Sequence, residues 1–89
     1  MNAIITVVGT DKVGIIAKVS AFLAQRDINI EDISQTVLSG NFVMMMMVNL
    51  SSCSNALEEI KKELSSLGDS LNVSISLMHE KVFSAMHRI

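Results

Sequence analysis

The segment from Gly9 to Ile15 is the first whose residue types and spacing could do chemistry. It reads Gly-Thr-Asp-Lys-Val-Gly-Ile, and it places Gly14 in the first turn of a predicted helix, where glycine costs up to about 1 kcal/mol relative to alanine. One explanation is that a ligand approaches the helix N-terminus closely, since free N–H groups and the positive dipole end favour a carboxylate. The other is that Gly14 only lets the helix pack tightly on the strands. The loop alone leaves both explanations open.

The remaining reactive side chains do not form a catalytic or metal-binding set. Glu31 and Asp32 are adjacent at a strand start, so we expect them to face opposite ways. His79 and His87 are eight residues apart, too far to chelate one ion even on one helix face. Cys53 is the single cysteine, so it forms neither an internal disulfide nor a four-ligand zinc site. No serine or cysteine lies in a recognisable nucleophile motif. We therefore expect no enzyme activity, no metal and no cofactor.

Composition narrows the class of protein further. The chain has 89 residues, seven Lys and Arg against nine Asp and Glu, and a hydrophobic fraction of 49%, which suits one small domain. The charge balance and the lack of a basic cluster argue against nucleic acid. No apolar run approaches the length that spans a bilayer and no leader is recognisable, so we expect a cytoplasmic protein without a membrane partner. So much apolar side chain in so short a chain suggests burial in an oligomer.

The elements that must position these residues follow from periodicity and turn signals. Residues 3–8 read as a buried strand, and the next helix is expected to start at an N-cap, Thr10 or Asp11, and to end near Arg26 or Asp27. Residues 28–38 and 41–50 form a predicted hairpin whose turn is Ser39-Gly40. A second helix follows a cap at Ser54 or Asn55, with Gly68 as a left-handed C-cap. Residues 71–77 alternate as a last strand with one polar face.

The order strand, helix, strand, strand, helix, strand predicts an α+β fold, a ferredoxin-like βαββαβ sandwich over residues 1–79. The first and third strands are apolar on both faces and belong in the centre of the sheet. The methionines from Met44 to Met47 should alternate between those faces as packing side chains. Both helices cover one face. We expect the tail, residues 80–89, to dock on the other face or on a partner subunit, through an apolar stripe of Val82, Phe83, Met86 and Ile89.

Several motifs in this order carry a resemblance to a known family. They are Asp-Lys-Val-Gly-Ile at 11–15, Asp-Ile-Asn-Ile-Glu-Asp-Ile at 27–33, Asp-Ile-Ser-Gln-Thr at 32–36 and Met-His-Arg-Ile at 86–89. The chain resembles the ACT domain, a small-molecule-sensing module of amino-acid metabolism. Over its whole length it is similar to a family of stand-alone bacterial and archaeal ACT proteins. It is more distantly similar to the ACT segments of glycine-cleavage repressors and formyltetrahydrofolate deformylases.

The resemblance implies a regulatory amino-acid site at a homodimer interface. Carried over residue by residue, the ligand-binding positions are Thr10, Asp11, Lys12, Val13, Gly14, Ile15, Asn29 and Ile30. In this scheme Asp11 accepts from the ligand ammonium, and backbone N–H groups of Gly14 and Ile15 donate to its carboxylate. Many ligand-binding members have proline where this sequence has Val13.

Two functions from different classes remain open at this point. The first is an allosteric sensor that binds an amino acid as a homodimer and shifts between conformational states. The second is a module without a ligand that dimerises or binds a metabolic enzyme or regulator, in which case the glycine loop serves packing alone.

Overall fold

The computed structural model describes residues 1–10 and 14–86, which form one antiparallel sheet with helices. In chain order the elements are β1 Asn2–Gly9, α1 Ile15–Gln25, β2 Asn29–Leu38, β3 Asn41–Asn49, α2 Leu57–Leu71, β4 Ser74–His79 and α3 Glu80–Met86. The strand order is β2-β3-β1-β4. The ferredoxin-like βαββαβ fold is therefore confirmed, with β1 and β3 in the centre as their two apolar faces predict.

The core lies between the sheet and the two long helices. Alternate residues of the central strands enter it, and they include Ile5, Val7, Met44 and Met46, all 0% exposed. The side chains that α1 and α2 contribute are Ile15, Val19, Phe22, Leu23, Ile60 and Leu64. These residues recur at helical spacing, which is why the two helices form against this sheet.

The opposite surface of the sheet, which we name the second face, carries the intervening residues. On β3 these include Met45 and Met47, which are half-buried, so the predicted alternation of the four methionines is confirmed. On β1 they include Ile4 and Val8, which are 6% and 37% exposed. Helix α3 follows β4 directly and contacts β4 and β1.

The start of α1 differs from the predicted cap at Thr10 or Asp11. The N-cap is Gly14, in the left-handed region at φ 75°, and the helix begins at Ile15. Gly14 therefore lies just before the first turn and not inside it. The predicted cap position was wrong because Thr10 and Asp11 are residue types that favour turns as well as N-caps.

Both ends of α2 also differ from their predictions. The N-cap is Ala56, without a side-chain hydrogen bond, in place of Ser54 or Asn55. The helix continues to Leu71 and its left-handed C-cap is Asn72, so β4 starts later than predicted, at Ser74. Gly68 is inside the helix, at a position where a Cβ would lie 2.8 Å from the carbonyl oxygen of Val73. The glycine serves a close backbone approach, not a helix end.

The hairpin between β2 and β3 contains both a confirmed turn and an unpredicted irregularity. Ser39 and Gly40 have φ of 52° and 79°, as a tight hairpin turn requires. The register shifts between Ile30 and Asp32. Asp32 lies opposite Met47 on the second face, in the register that the hairpin turn sets, and the carboxylate of Glu31 accepts a hydrogen bond from Asn49 Nδ2 at 3.2 Å. The predicted alternation of Glu31 and Asp32 does not hold, because Glu31 binds Asn49 and Asp32 lies opposite Met47, and these two β3 residues are on the same face of the sheet.

Part of the predicted tail, residues 80–89, lies outside the described residues. The side chains of Phe83 and Met86, and all of Ile89, lie outside the described residues, so the apolar stripe of the tail stays a prediction. Within residues 1–10 and 14–86, no helix is both long enough and apolar enough to cross a lipid bilayer.

Candidate functional site

The N-terminus of α1 is open to solvent and lacks a side-chain cap from the described residues. Gly14 is exposed, and its carbonyl accepts the hydrogen bond from the N–H of Lys18 at 3.0 Å. The first N–H groups of a helix have no partners within the helix, and those of Ile15 and the next residues have no backbone partner among the described residues. N–H groups in this position can bind an anion. The first turn holds no acidic side chain that would compete for them.

The space around Gly14 separates the two explanations for this glycine. A Cβ at this position would meet no atom of the described residues within 4 Å. Tight packing of α1 on the strands therefore does not require glycine here. The requirement comes from the left-handed backbone, which glycine adopts without a steric cost.

The other residues of the predicted loop divide into three groups. Thr10 is exposed at the end of β1, whereas Asp11, Lys12 and Val13 lie outside the described residues. Ile15 is only 2% exposed and belongs to the core. Its side chain is therefore committed to packing, so it could serve a ligand only through its backbone N–H.

The second part of the predicted site is the start of β2. Asn29 is exposed and pairs with Asn49 of β3, which in turn pairs with Asn2 of β1. Ile30 is half-buried and packs against the core. Of the two predicted β2 residues, Asn29 therefore has the side chain that is available to a ligand.

The loop and Asn29 lie at opposite ends of the sheet within one chain. Asn29 is level with Asn2, the first residue of β1, whereas the loop follows Gly9, the last residue. At the usual rise of a strand the separation along β1 is about 23 Å. One protomer therefore does not bring the two predicted parts into a single site.

The row of amides formed by Asn2, Asn29 and Asn49 was not predicted from the sequence. The hairpin turn alone sets Leu38 opposite Asn41, and an unbroken register from there would put Asn29 opposite Leu50. The bulge at Glu31 shifts the pairing by one residue and aligns the amides. A pair of acidic residues at the start of an exposed strand was the available signal, because edge strands often carry bulges and charges.

The outer strand β2 is exposed along almost its whole length. All its residues except Ile30 are exposed, including Ile33, Val37 and Leu38 at 39%, 70% and 66%. The strand is ten residues long and, among the described strands, pairs with β3 alone. A long edge strand with apolar side chains and free backbone groups is a template for pairing with another chain.

The remaining candidates have local structural partners. The thiol of Cys53 donates to Asn55 Oδ1 at 3.7 Å, and His79 Nδ1 accepts from the N–H of Lys81 at 3.0 Å. Within residues 1–10 and 14–86 we find no group of three or more His, Cys, Asp or Glu side chains placed to hold a metal ion. His87 lies outside the described residues.

Comparison with known proteins gives matches over nearly the whole chain. The ACT domain family matches residues 2–78. A UPF0237 protein of Listeria monocytogenes is 46% identical over 89 residues, which is 100% of both chains. An ACT domain protein from Streptococcus pneumoniae has a solved structure with 45% identity and a TM-score of 0.84, covering 98% of each chain.

Two solved structures of longer proteins match this chain over part of their own length. One is described as a glycine cleavage system transcriptional repressor, with 26% identity and a TM-score of 0.76 over 85% of this chain and 44% of that one. A formyltetrahydrofolate deformylase from Pseudomonas syringae shares the fold, with 23% identity and a TM-score of 0.77 over 86% of this chain and 26% of that one. Both likenesses, and the full-length relatives, agree with the resemblance found in the sequence. This chain belongs to the ACT domain family.

Proposed function

We propose that this protein is a regulatory domain that binds an amino acid as a homodimer. ACT domains are in general regulatory small-molecule-binding domains, and the close relatives carry no enzyme name. The observation that supports an amino-acid site most directly is the open N-terminus of α1 behind the left-handed Gly14. The N–H groups at this helix N-terminus suit a ligand carboxylate. The ligand ammonium would then bind the Asp11 carboxylate and the side-chain amide of Asn29.

The separation of the loop from Asn29 supports a site shared between two subunits. If two copies pair their β2 edges in antiparallel fashion about a two-fold axis, the start of one β2 lies beside the end of the other. The end of β2 is level with Gly9, because Phe42 pairs with both Val37 and Gly9. Asn29 of the partner subunit then approaches this subunit's loop. The same pairing covers the exposed apolar residues of β2.

Binding at such a shared site would act by population shift. A ligand that contacts both subunits binds the paired state more tightly than the separate chains, so it favours pairing by that difference in affinity. A metabolic enzyme or regulator that recognises only one of the two states would then sense the amino acid.

The exposure of β2 equally favours the second candidate, an interaction module without a ligand. The two functions differ in what stabilises the protein. A sensor should gain thermal stability from an amino acid, whereas an interaction module should gain it only from its protein partner. A module should also keep its function when Asp11 and Asn29 are changed.

Isothermal titration of the purified protein against each common amino acid tests the proposal. We expect heat of binding from at least one amino acid, and loss of that heat in Gly14→Asp, which puts a negative charge at the anion site, and in Asn29→Ala. Asn55→Ala is the control, because it removes an exposed amide outside the loop and β2. Heat from none of the amino acids would contradict the proposal.

Mixing the two defective variants tests whether the site is shared. In a heterodimer of Gly14→Asp and Asn29→Ala, one site combines an intact loop with an intact Asn29 and the other has neither. After random exchange of subunits, binding should return to about a quarter of all sites. If the loop and the amide acted within one chain, the mixture would bind no more than the separate variants.

A further inference from the structure

The second face contains a pocket whose described lining comes from β1, β2 and β3. It has a volume of about 200 Å³, and its apolar wall is formed by Ile4, Met45 and Met47, with Asp32 and Ser34 on the β2 side. Ile4, Met47 and Asp32 lie in one row across the sheet. The pocket is thus apolar toward the centre of the sheet and has a carboxylate at its outer edge.

The charge on the described lining of the pocket is negative. Asp32 lies opposite Met47, and Glu31, beside it in the bulge, holds Asn49 by a hydrogen bond. Within the described residues that line the pocket, Asp32 carries the charge and no cation balances it. An occupant that fits both parts needs an apolar side chain for the methionines and a cation for the two carboxylates.

Helix α3 starts at the same end of β1 as this pocket. The helix begins immediately after His79, which pairs with Ala3, and it contacts both β4 and β1. Its 7 residues span about 10 Å, which corresponds to about two strand spacings. A further three residues reach up to about 10 Å beyond that, enough to pass from β1 over β3 to the edge of β2.

The three residues that follow α3 are His87, Arg88 and Ile89. They offer the two features that the pocket requires, a guanidinium and a branched apolar side chain, in adjacent positions. We propose that residues 87–89 dock in the second-face pocket of their own chain, with Ile89 against Met45 and Met47 and the Arg88 guanidinium beside Asp32 and Glu31. This proposal does not depend on amino-acid binding at the α1 loop.

The docking would connect the tail to the β2 edge. Glu31 is held by Asn49, and Asn49 pairs with Asn29. The docked Arg88 therefore lies next to the amide row that the proposed ligand site uses. Tail position and ligand binding would then influence each other through the same short stretch of β2.

Oxidation of the methionine run by dilute hydrogen peroxide, followed by tandem mass spectrometry, tests the docking. Met45 and Met47 lie on the second face, whereas Met44 is 0% exposed in the core, does not line the pocket and serves as an internal reference. Removal of residues 87–89 should raise the oxidation rates of Met45 and Met47 several-fold and leave the rate at Met44 unchanged. Unchanged rates at Met45 and Met47, or an equal rise at Met44, would overturn the proposal.

A charge-exchange experiment tests the contact in a chain of full length. Arg88→Glu should raise oxidation at Met45 and Met47, and Asp32→Arg combined with Arg88→Glu should restore protection. Lys18→Glu is the matched control, because Lys18 is exposed on α1, on the other side of the sheet. Protection that disappears on dilution of the wild-type protein would show that a second copy's tail occupies the pocket, and this would overturn docking within one chain.

Discussion

At the scale of single residues, two glycines are required for different physical reasons. Gly14 has φ of 75° and open space where a Cβ would stand, whereas Gly68 is helical and faces the carbonyl oxygen of Val73 at 2.8 Å. The first is a requirement of backbone conformation and the second a requirement of space. Substitutions at the two positions should therefore follow opposite rankings.

We expect Gly14→Ala to lower the free energy of unfolding by about 1 kcal/mol, because alanine is strained in the left-handed region. Gly14→Asn should cost less, since asparagine tolerates that region. Gly68→Ala should cost about 2 kcal/mol, because overpacking against backbone exceeds the gain in helix propensity, and Gly68→Asn should cost at least as much. Urea unfolding of the four variants measures the ranking. A Gly14→Ala variant as stable as the wild type would contradict the assigned role of the backbone.

At the scale of elements, α1 and α2 are joined by one ion pair. Arg26 Nε and Nη2 donate to the two carboxylate oxygens of Glu63 at 3.1 and 2.9 Å, and the guanidinium lies 3.6 Å from the centre of the Phe22 ring. Arg26 Nη1 also donates to the carbonyl of Phe22 at 3.0 Å. The hydrogen bond from Arg26 is the main reason that the pKa of Glu63 is lowered, and it correspondingly raises the pKa of Arg26.

This lowered pKa predicts how stability depends on pH. The pKa of Glu63 is lower in the folded chain than in the unfolded chain. The ionised Glu63 therefore contributes to the free energy of unfolding at pH values above the ordinary pKa of glutamate, and this contribution is lost as the pH falls through the folded pKa. Glu63→Gln should lower the melting temperature at neutral pH and flatten its decrease in acid. Thermal unfolding between about pH 7 and about pH 3 measures both effects. Glu59→Gln changes an exposed residue in the first turn of the same helix and should have a smaller effect on both quantities, because Glu59 has no ion pair among the described residues. Equal behaviour of the two variants would contradict the prediction.

The elements themselves were largely predictable, and their ends were not. The two-sided apolar character of β1 and β3, and the alternation of Met44 to Met47, follow directly from which faces of a central strand are covered. The prediction of the α2 N-cap failed because Ser54 and Asn55 are as suited to a turn before the helix as to the cap position, which Ala56 occupies. The sequence pattern alone does not distinguish these two uses. The prediction of Gly68 as a C-cap failed because glycine is required there by a close contact with the backbone of Val73, in the connection that follows the helix. Such a contact depends on the folded structure and is not visible in the local sequence.

At the scale of the whole molecule, the β2 edge determines whether the candidate site can be assembled. Sequence reasoning named the loop from its glycine and Asn29 from a resemblance, and one chain holds them at opposite ends of the sheet. Their relation depends on a second copy, so neither periodicity nor the spacing of residues in one chain could have predicted it. The bulge at Glu31 is a second feature that could not be predicted, and it determines that Asn29 pairs with Asn49.

Charges on the exposed face of this edge should prevent the proposed pairing. Ile33→Lys combined with Val37→Lys should convert dimers to monomers in sedimentation velocity, because like charges would meet across the two-fold axis, while the monomer keeps its fold since both side chains are exposed. Val82→Lys is the control, an exposed apolar residue of α3 at 50%, and should leave association unchanged. Dimers that persist in the double variant would rule out the β2 edge as the interface.

The run of four methionines also bears on how β3 finds its partners during folding. Because Met44 to Met47 are identical, a slip of β3 by one residue would exchange methionine for methionine at the centre of the sheet and would meet little resistance there. The discrimination between the native alignment and its slipped neighbours must come from the two ends of the strand. Phe42 and Val48 are buried at 5% and 0% exposure, and the left-handed Gly40 fixes the adjoining turn. The most uniform stretch of the chain thus leaves the choice of alignment to the residues that flank it.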